Sequence, residues 1–198
     1  MTKMIDYKNF FKYLKENTSN SVKELDASPP PTPHNVAMVQ HANVKKPSGI
    51  VDEKTRTNAL IVVATLWGEA RGEGEVGMQA VLNVIMNRSN NNFDKAKDVV
   101  LRPKQFSMWN KVQDPLKASL NLAKTKWNDK SYQIALKLVD KALKNELKDI
   151  TNKSTFYFNP KIVKPSWSKK LVKTKTIGNH EFYAVPSKIN KNKINKSV

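Results

Sequence analysis

Beyond the first quarter of the chain, apolar residues recur mostly at helical spacing and predict a helical domain. The run Ala59–Trp67 is apolar on nearly every side, which indicates a buried central helix, although Leu60–Val63 alone is also compatible with a strand. The next segment places Val81, Val84 and Ile85 on an inward face. Three further helices are predicted over Lys95–Leu101, Leu116–Trp127 and Ser131–Asn145, the last with Asp129 as its N-cap.

The period changes after residue 150. Thr155–Phe158, Thr176–Ile177 and Phe182–Tyr183 are rich in aromatic and β-branched residues, and they predict short β segments. The predicted fold class is therefore α+β, mainly α, with a small β element.

The first part of the chain has a different composition. Tyr7, Phe10, Phe11 and Leu14 fall on one face of a predicted amphipathic helix. The proline-rich run at 28–33 predicts an extended linker. The predicted organisation is an N-terminal helix, a linker, a folded domain and a basic Lys/Asn tail, over residues 1–17, 18–54, 55–185 and 186–198.

A carboxylate stands at the end of the predicted central helix. The apolar run stops at Gly68, Glu69 follows at once, and Glu73 and Glu75 come next among glycines. A carboxylate at a helix C-terminus faces the negative end of the helix dipole, and apolar neighbours desolvate it further. Both effects disfavour the anion, as a general acid working near neutral pH requires. Glu69 is therefore the predicted catalytic acid.

Four sequence elements, the first containing Glu69, follow one another along the chain. They are Gly68–Glu73 with Gly77–Val81 and Val84–Arg88, then Gln105–Trp109, then Thr155–Asn159 with Pro165–Trp167, and finally Ile177–Tyr183. In this order they resemble the core signature of the SleB-type, spore-cortex-lytic cell-wall hydrolases. The resemblance covers roughly residues 56 to 185, about two thirds of the chain.

The resemblance implies a lysozyme-like fold, similar to lytic transglycosylases and goose-type lysozymes, as the catalytic domain at 55–185. It also implies cleavage of the peptidoglycan glycan strand between N-acetylmuramic acid and N-acetylglucosamine. One acid/base suffices where the substrate supplies the nucleophile, so Glu69 alone predicts a lytic transglycosylase. Glu73 as a second carboxylate would instead give a hydrolytic muramidase.

The predicted catalytic residues are Glu69 and Glu73, although Glu73 is also suited to pair with Arg71 or to cap the next helix. Indoles stack on sugar rings and amides pair with hydroxyls, so the Gln-Phe-Ser-Met-Trp element suggests a cleft. Core packing for Trp109 and a turn for Asn159 are the structural alternatives. The predicted substrate-binding residues are Arg71, Gln105, Ser107, Trp109, Asn159, Trp167, His180 and Tyr183.

The amino-acid composition limits the kinds of catalytic site and partner that the chain can have. No cysteine is present, which excludes papain-like peptidases, and the three histidines do not form a zinc-ligand pattern, so neither metal nor cofactor is expected. The net charge is +18, of which residues 56–183 carry +12, from 23 basic and 11 acidic residues. Such a charge favours anionic partners. Peptidoglycan is the expected one, and specific nucleic-acid binding is not expected.

No stretch approaches the ~20 apolar residues of a membrane span, and the first residues lack the apolar core of an export signal. These patterns predict a phage-encoded enzyme, located in the virion or the infected host and acting in the periplasm and cell wall. Residues 4–16 would contact virion proteins. Two other classes stay open: a basic nucleic-acid-binding protein, without a recognised reading motif, and an inactive virion component.

Overall fold

The structure, a computed structural model, describes residues 52–186, so the predicted N-terminal helix, the predicted linker up to residue 51 and nearly all of the basic tail lie outside it. Residues 53 and 54, the last two of the predicted linker, are helical. Within the described residues, helices precede a small antiparallel sheet, which confirms the mainly helical prediction. The helices are α1 Glu53–Ala70, α2 Gly74–Arg88, α3 Ala96–Val100, α4 Pro115–Lys126 and α5 Lys130–Leu143. The strands are β1 Phe156–Phe158, β2 Val172–Ile177 and β3 His180–Ala184.

Helix α1 is the centre of the helical layer. It begins after Asp52, whose carboxylate accepts the backbone N–H of Thr55 at 3.0 Å. Its residues from Leu60 to Leu66 are all buried, because the other four helices pack around it. The helical interpretation of the apolar run is therefore confirmed, and the strand alternative is wrong.

The predicted end of this helix is wrong. A glycine costs about 1 kcal/mol inside a helix, yet α1 continues through Gly68 to Ala70. The Met108 side chain packs so closely on Gly68 that a Cβ there would collide with it. This close approach requires a glycine but not a helix end, and it leaves Glu69 in the last turn of a buried helix.

Helix α2 joins the helical layer to the sheet through an apolar contact. Val81, Val84 and Ile85 are buried, as predicted. Ala80 and Val84 form a core cluster with Phe182 of β3. Three partly buried residues complete the cluster: Ile150, Tyr157 and Ile177.

A second face of α2 holds the chain that leads into β1. Gln79, Asn83 and Asn87 are spaced four residues apart and so lie along one side of the helix. The Gln79 amide donates to the carbonyl of Lys148 at 2.9 Å, and Asn83 both donates to that carbonyl and accepts from the N–H of Ile150. Asn87 donates to the Ser154 carbonyl at 3.0 Å. These bonds set where β1 starts.

The sheet has the order β1-β3-β2, and both pairings are antiparallel. Tyr157 is paired with Phe182, so these two side chains share the face turned to α2, and His180 lies on the same face two residues earlier. Phe156 and Tyr183 form the next pair and share the opposite face. The predicted β segments are thus confirmed, with β2 and β3 longer than expected.

Helix α5 begins as predicted. Asp129 accepts the N–H of Tyr132 at 2.9 Å and also the indole N–H of Trp67 at 3.1 Å. These hydrogen bonds, that of Tyr132 first, lower the pKa of Asp129. Across residues 52–186, no helix combines the length and the hydrophobicity needed to cross a membrane.

The contact between α2 and the sheet can be tested with two valines on one helix. Val84→Ala removes methyl groups from a fully buried site and should lower the free energy of unfolding by about 2 kcal/mol. Val76 is 60% exposed, so Val76→Ala should change it by less than about 0.5 kcal/mol. Chemical denaturation measures both; equal effects would contradict the packing described.

Candidate active site

The Glu69 carboxylate faces a 3-10 turn formed by Ser107–Trp109. Its Oε1 accepts the Ser107 hydroxyl at 3.0 Å and the Met108 backbone N–H at 3.2 Å. Within residues 52–186 no hydrogen bond reaches Oε2. Since both donors point at Oε1, a proton on this carboxyl group would sit on Oε2, where it is available for transfer.

The same turn is attached to α1. The Trp109 indole N–H donates to the Thr65 hydroxyl at 3.0 Å, and Thr65 lies one turn before Glu69. Trp109 is only 8% exposed. This burial favours the core alternative for Trp109, and substrate binding by Trp109 stays a prediction.

Tyr157 of β1 lies on the Glu69 side of the sheet. Its ring stacks on Phe182 with centroids 5.7 Å apart and meets the His180 imidazole edge-on at 5.3 Å. Burial raises the pKa of Tyr157, and the negative charge of Glu69 raises it further. The phenol therefore remains neutral and keeps its hydroxyl proton.

Arg88, at the end of α2, joins the Gln105 loop to the sheet. Its Nε donates to the Thr155 carbonyl at 2.6 Å and its Nη1 to the Gln105 Oε1 at 3.0 Å. The guanidinium also lies over the rings of Phe106 and Phe156, at 5.9 and 5.7 Å. Burial lowers the pKa of Arg88. The predicted binding residue Gln105 is thus oriented by an arginine that the sequence analysis did not select.

Glu73 is bound to the turn between β2 and β3. The Asn179 side-chain amide donates to its Oε1 at 3.1 Å, and the Asn179 backbone N–H donates to its Oε2 at 3.2 Å. The hydrogen bond from the Asn179 side chain has the largest effect on the pKa of Glu73 and lowers it. Burial raises this pKa, whereas the hydrogen bond from the Asn179 backbone N–H and the charges of His180 and Lys161 lower it further. Glu73 is the N-cap residue of α2, as expected, but its side chain makes no capping hydrogen bond. Its carboxylate binds Asn179, so the expected pairing with Arg71 is wrong.

Three other predicted residues lie away from the Glu69 carboxylate. Arg71 stacks on Trp67, with its guanidinium carbon 4.6 Å from the ring, and donates to the carbonyl of Gly68. Trp167 and Tyr183 pack together on the sheet face opposite to Tyr157, with ring centroids 5.8 Å apart. Tyr183 also donates to Glu181, and burial followed by this bond raises its pKa to about 12.

The structure therefore brings together Glu69 and Ser107 directly, and His180 beside Tyr157 on the same side. Asn159 accepts the N–H of Lys161 and organises a turn, which was its structural alternative. Tyr157 and Met108 were missed. Because side chains alternate between the two faces of a strand, the segment Phe156–Phe158 places Tyr157 on the opposite face from its two neighbours, and this pattern could have identified it. A backbone donor such as Met108 leaves no signal in the pattern of side chains. Among residues 52–186, no group of acidic or histidine side chains could hold a metal ion.

Comparison with known proteins assigns the family. The family model described as Cell Wall Hydrolase matches residues 72–183, more than half of the 198-residue chain. The chain belongs to the Cell Wall Hydrolase family. The match begins three residues after Glu69, so it covers Ser107, Tyr157 and His180 but not the predicted acid.

Individual relatives agree with this family. The chain is 27% identical over 148 residues to a spore cortex-lytic enzyme of Halalkalibacterium halodurans, covering 74% of this chain but only 40% of that relative. Two solved structures are similar: the catalytic domain of the germination-specific lytic transglycosylase SleB from Bacillus anthracis and that of the Bacillus cereus SleB protein. The first is 24% identical to this chain, and the match covers 70% of this chain and 99% of that structure, with a TM-score of 0.47. The second is 21% identical, and the match covers 73% of this chain and 100% of that structure, with a TM-score of 0.44.

The Glu73–Asn179 bond predicts a pH dependence of stability. Because the folded state lowers the pKa of Glu73 below 4.5, its contribution is present above pH 4.5 and is lost as pH falls through the lowered pKa. Asn179→Ala should reduce the folding stability above pH 4.5, and it should make the loss of stability below pH 4.5 smaller than in the wild type. Unfolding midpoints between about pH 6 and pH 3 measure this. Glu75→Gln, which removes an exposed carboxylate from the first turn of α2, should leave the decline unchanged.

Proposed function

We propose that this cell-wall hydrolase cleaves the glycan strand of peptidoglycan between N-acetylmuramic acid and N-acetylglucosamine, as a lytic transglycosylase with Glu69 as its one acid and base. The observation that carries the proposal is the asymmetric hydrogen bonding of Glu69. Two donors occupy Oε1, and Oε2 has no partner within the described residues. A single carboxyl oxygen is thus presented to a reacting group, while the other is held in position.

In the proposed reaction, Glu69 Oε2 gives its proton to the glycosidic oxygen as the bond between that oxygen and C1 of muramic acid breaks. The C6 hydroxyl oxygen of the same sugar then bonds to C1, and its proton passes to Glu69. The product carries a 1,6-anhydro ring, and Glu69 returns to its protonated state. Ser107 and the Met108 N–H stabilise the carboxylate that exists between the two transfers.

Glu73 is assigned a positioning role and not that of a second catalytic carboxylate. Hydrolysis with inversion would need a carboxylate whose oxygens are open to an activated water, and retention would need one facing C1. Both oxygens of Glu73 accept hydrogen bonds from Asn179. This bonding fits a residue that fastens the β2–β3 turn. The hydrolytic alternative therefore has less support.

The biological setting stays a prediction from the sequence, including delivery by a phage and the contacts of residues 4–16. The high positive charge does not distinguish wall polymers from nucleic acid, but membership of the Cell Wall Hydrolase family favours the wall. An inactive wall-binding component would show no turnover, which the next two experiments detect.

Glu69→Gln should lower the rate of wall cleavage by about 10²–10⁴-fold, because an amide cannot transfer the proton. The fold should persist, since the glutamine oxygen can still accept from Ser107 and Met108. The matched control is Glu75→Gln, an exposed carboxylate on α2, which should keep the full rate. Turbidity loss of purified peptidoglycan measures the rate and circular dichroism checks the fold. Near-native activity of Glu69→Gln would exclude Glu69 as the acid.

The reaction type can be read from the products. A transglycosylase should release fragments that end in 1,6-anhydromuramic acid and take up no ¹⁸O from labelled water, because no water enters the reaction. Mass spectrometry of the digest distinguishes these ends from reducing ends. Reducing ends that contain ¹⁸O would establish a hydrolase and return Glu73 to the catalytic residues.

A further inference from the structure

A basic and apolar loop lies between β1 and β2. Residues 150–180 contain seven lysines and no acidic residue. Within this stretch, the loop 159–165 has the sequence Asn-Pro-Lys-Ile-Val-Lys-Pro, and its two central residues are strongly exposed: Ile162 at 81% and Val163 at 51%. Apolar residues exposed to this degree and flanked by cations indicate a contact surface.

The loop has a defined shape. The Asn159 side chain accepts the N–H of Lys161 at 2.9 Å, and the Asn159 carbonyl accepts the N–H groups of Ile162 and Val163 at 3.0 and 3.1 Å. The backbone therefore closes on Asn159 and pushes Ile162 outward. A ligand that binds here meets a preformed surface, which lowers the entropic cost of binding.

The loop also lies next to the candidate active site. Lys161 Nζ donates to the Asn179 side-chain oxygen at 3.1 Å, and Asn179 in turn binds Glu73. The next residue, His180, contacts Tyr157, which senses the charge of Glu69. Contacts thus run from the loop through Asn179 to Glu73, four residues after Glu69, and through the adjacent His180 to Tyr157 on the Glu69 side of the sheet.

We propose that loop 159–165 binds the acidic peptide carried by the muramic acid lactyl group of the substrate. The inference rests on the proposed function and names its substrate class: glycan that still bears its peptides. The peptides offer carboxylates to Lys161 and Lys164 and methyl groups to Ile162 and Val163. A strand without peptides offers only the lactyl carboxylate beside each muramic acid ring and no amino-acid side chains. A polyphosphate polymer would match the lysines but not the exposed aliphatic pair.

The test uses two substrates, peptide-bearing glycan strands and the same strands stripped of peptide by an amidase. Lys164→Gln should raise KM on peptide-bearing strands about twofold, as expected for one exposed ion pair, and change KM less on stripped strands, which keep only the lactyl carboxylate. Ile162→Ser should act only on peptide-bearing strands, because stripped strands carry no amino-acid side chains. Lys137→Gln, which removes an exposed lysine from α5, is the matched control and should alter neither.

The outcomes separate this inference from the proposed function. If Glu69→Gln loses cleavage but the loop variants keep the wild-type KM on both substrates, the inference is overturned and the proposed function stands. An equal loss on both substrates, or the same loss in Lys137→Gln, would also overturn it. Sedimentation with vesicles of equal parts phosphatidylglycerol and phosphatidylcholine tests a membrane as the partner. Loop-dependent vesicle binding with no peptide preference would replace the peptide by a lipid surface. Activity of Glu69→Gln would instead remove the proposed function.

Discussion

The position of the sheet relative to Glu69 depends on the amide side chains of helix α2. Gln79, Asn83 and Asn87 bind the backbone of residues 148–154, a segment without regular structure of its own. Unpaired backbone groups next to a core are costly, so these amides determine the one arrangement in which the segment is satisfied. Tyr157 and His180 reach the Glu69 side because β1 starts where this segment ends. These three amide side chains thereby set the geometry of the candidate site, although none of them is part of it.

The fold was largely predictable because its signals are local. The all-round apolar character of Ala59–Trp67, the cap at Asp129 and the aromatic segment at 155–158 each gave the correct element. The end of α1 was not predictable in this way. A glycine after an apolar run is typical of a helix end, and only the approach of Met108, which is distant in sequence, shows why a glycine stands inside this helix.

The candidate site was predictable in its residue types more than in its contacts. Glu69 and Ser107 meet, although 38 positions separate them, and motif order indicated both. Trp109 illustrates the limit: an indole in a binding motif and an indole in a core have the same sequence pattern, and burial alone separates them. Glu73 is the reverse case, since its partner Asn179 is 106 positions away and strand pairing, not spacing, brings them together.

Helix α1 carries the proposed acid and also anchors the turn that positions it, because Thr65 binds Trp109 and Gly68 accommodates Met108. Glu69 therefore lies in the last turn of α1, and its two donors lie on a turn that is fixed to the same helix. The sheet, attached through side-chain amides and a small apolar cluster, is joined less extensively. The proposed proton transfer thus takes place at helix α1, and the proposed substrate binding at the sheet, and these two parts differ in local stability. Under mild destabilisation such an enzyme would lose affinity first, while its acid remained assembled.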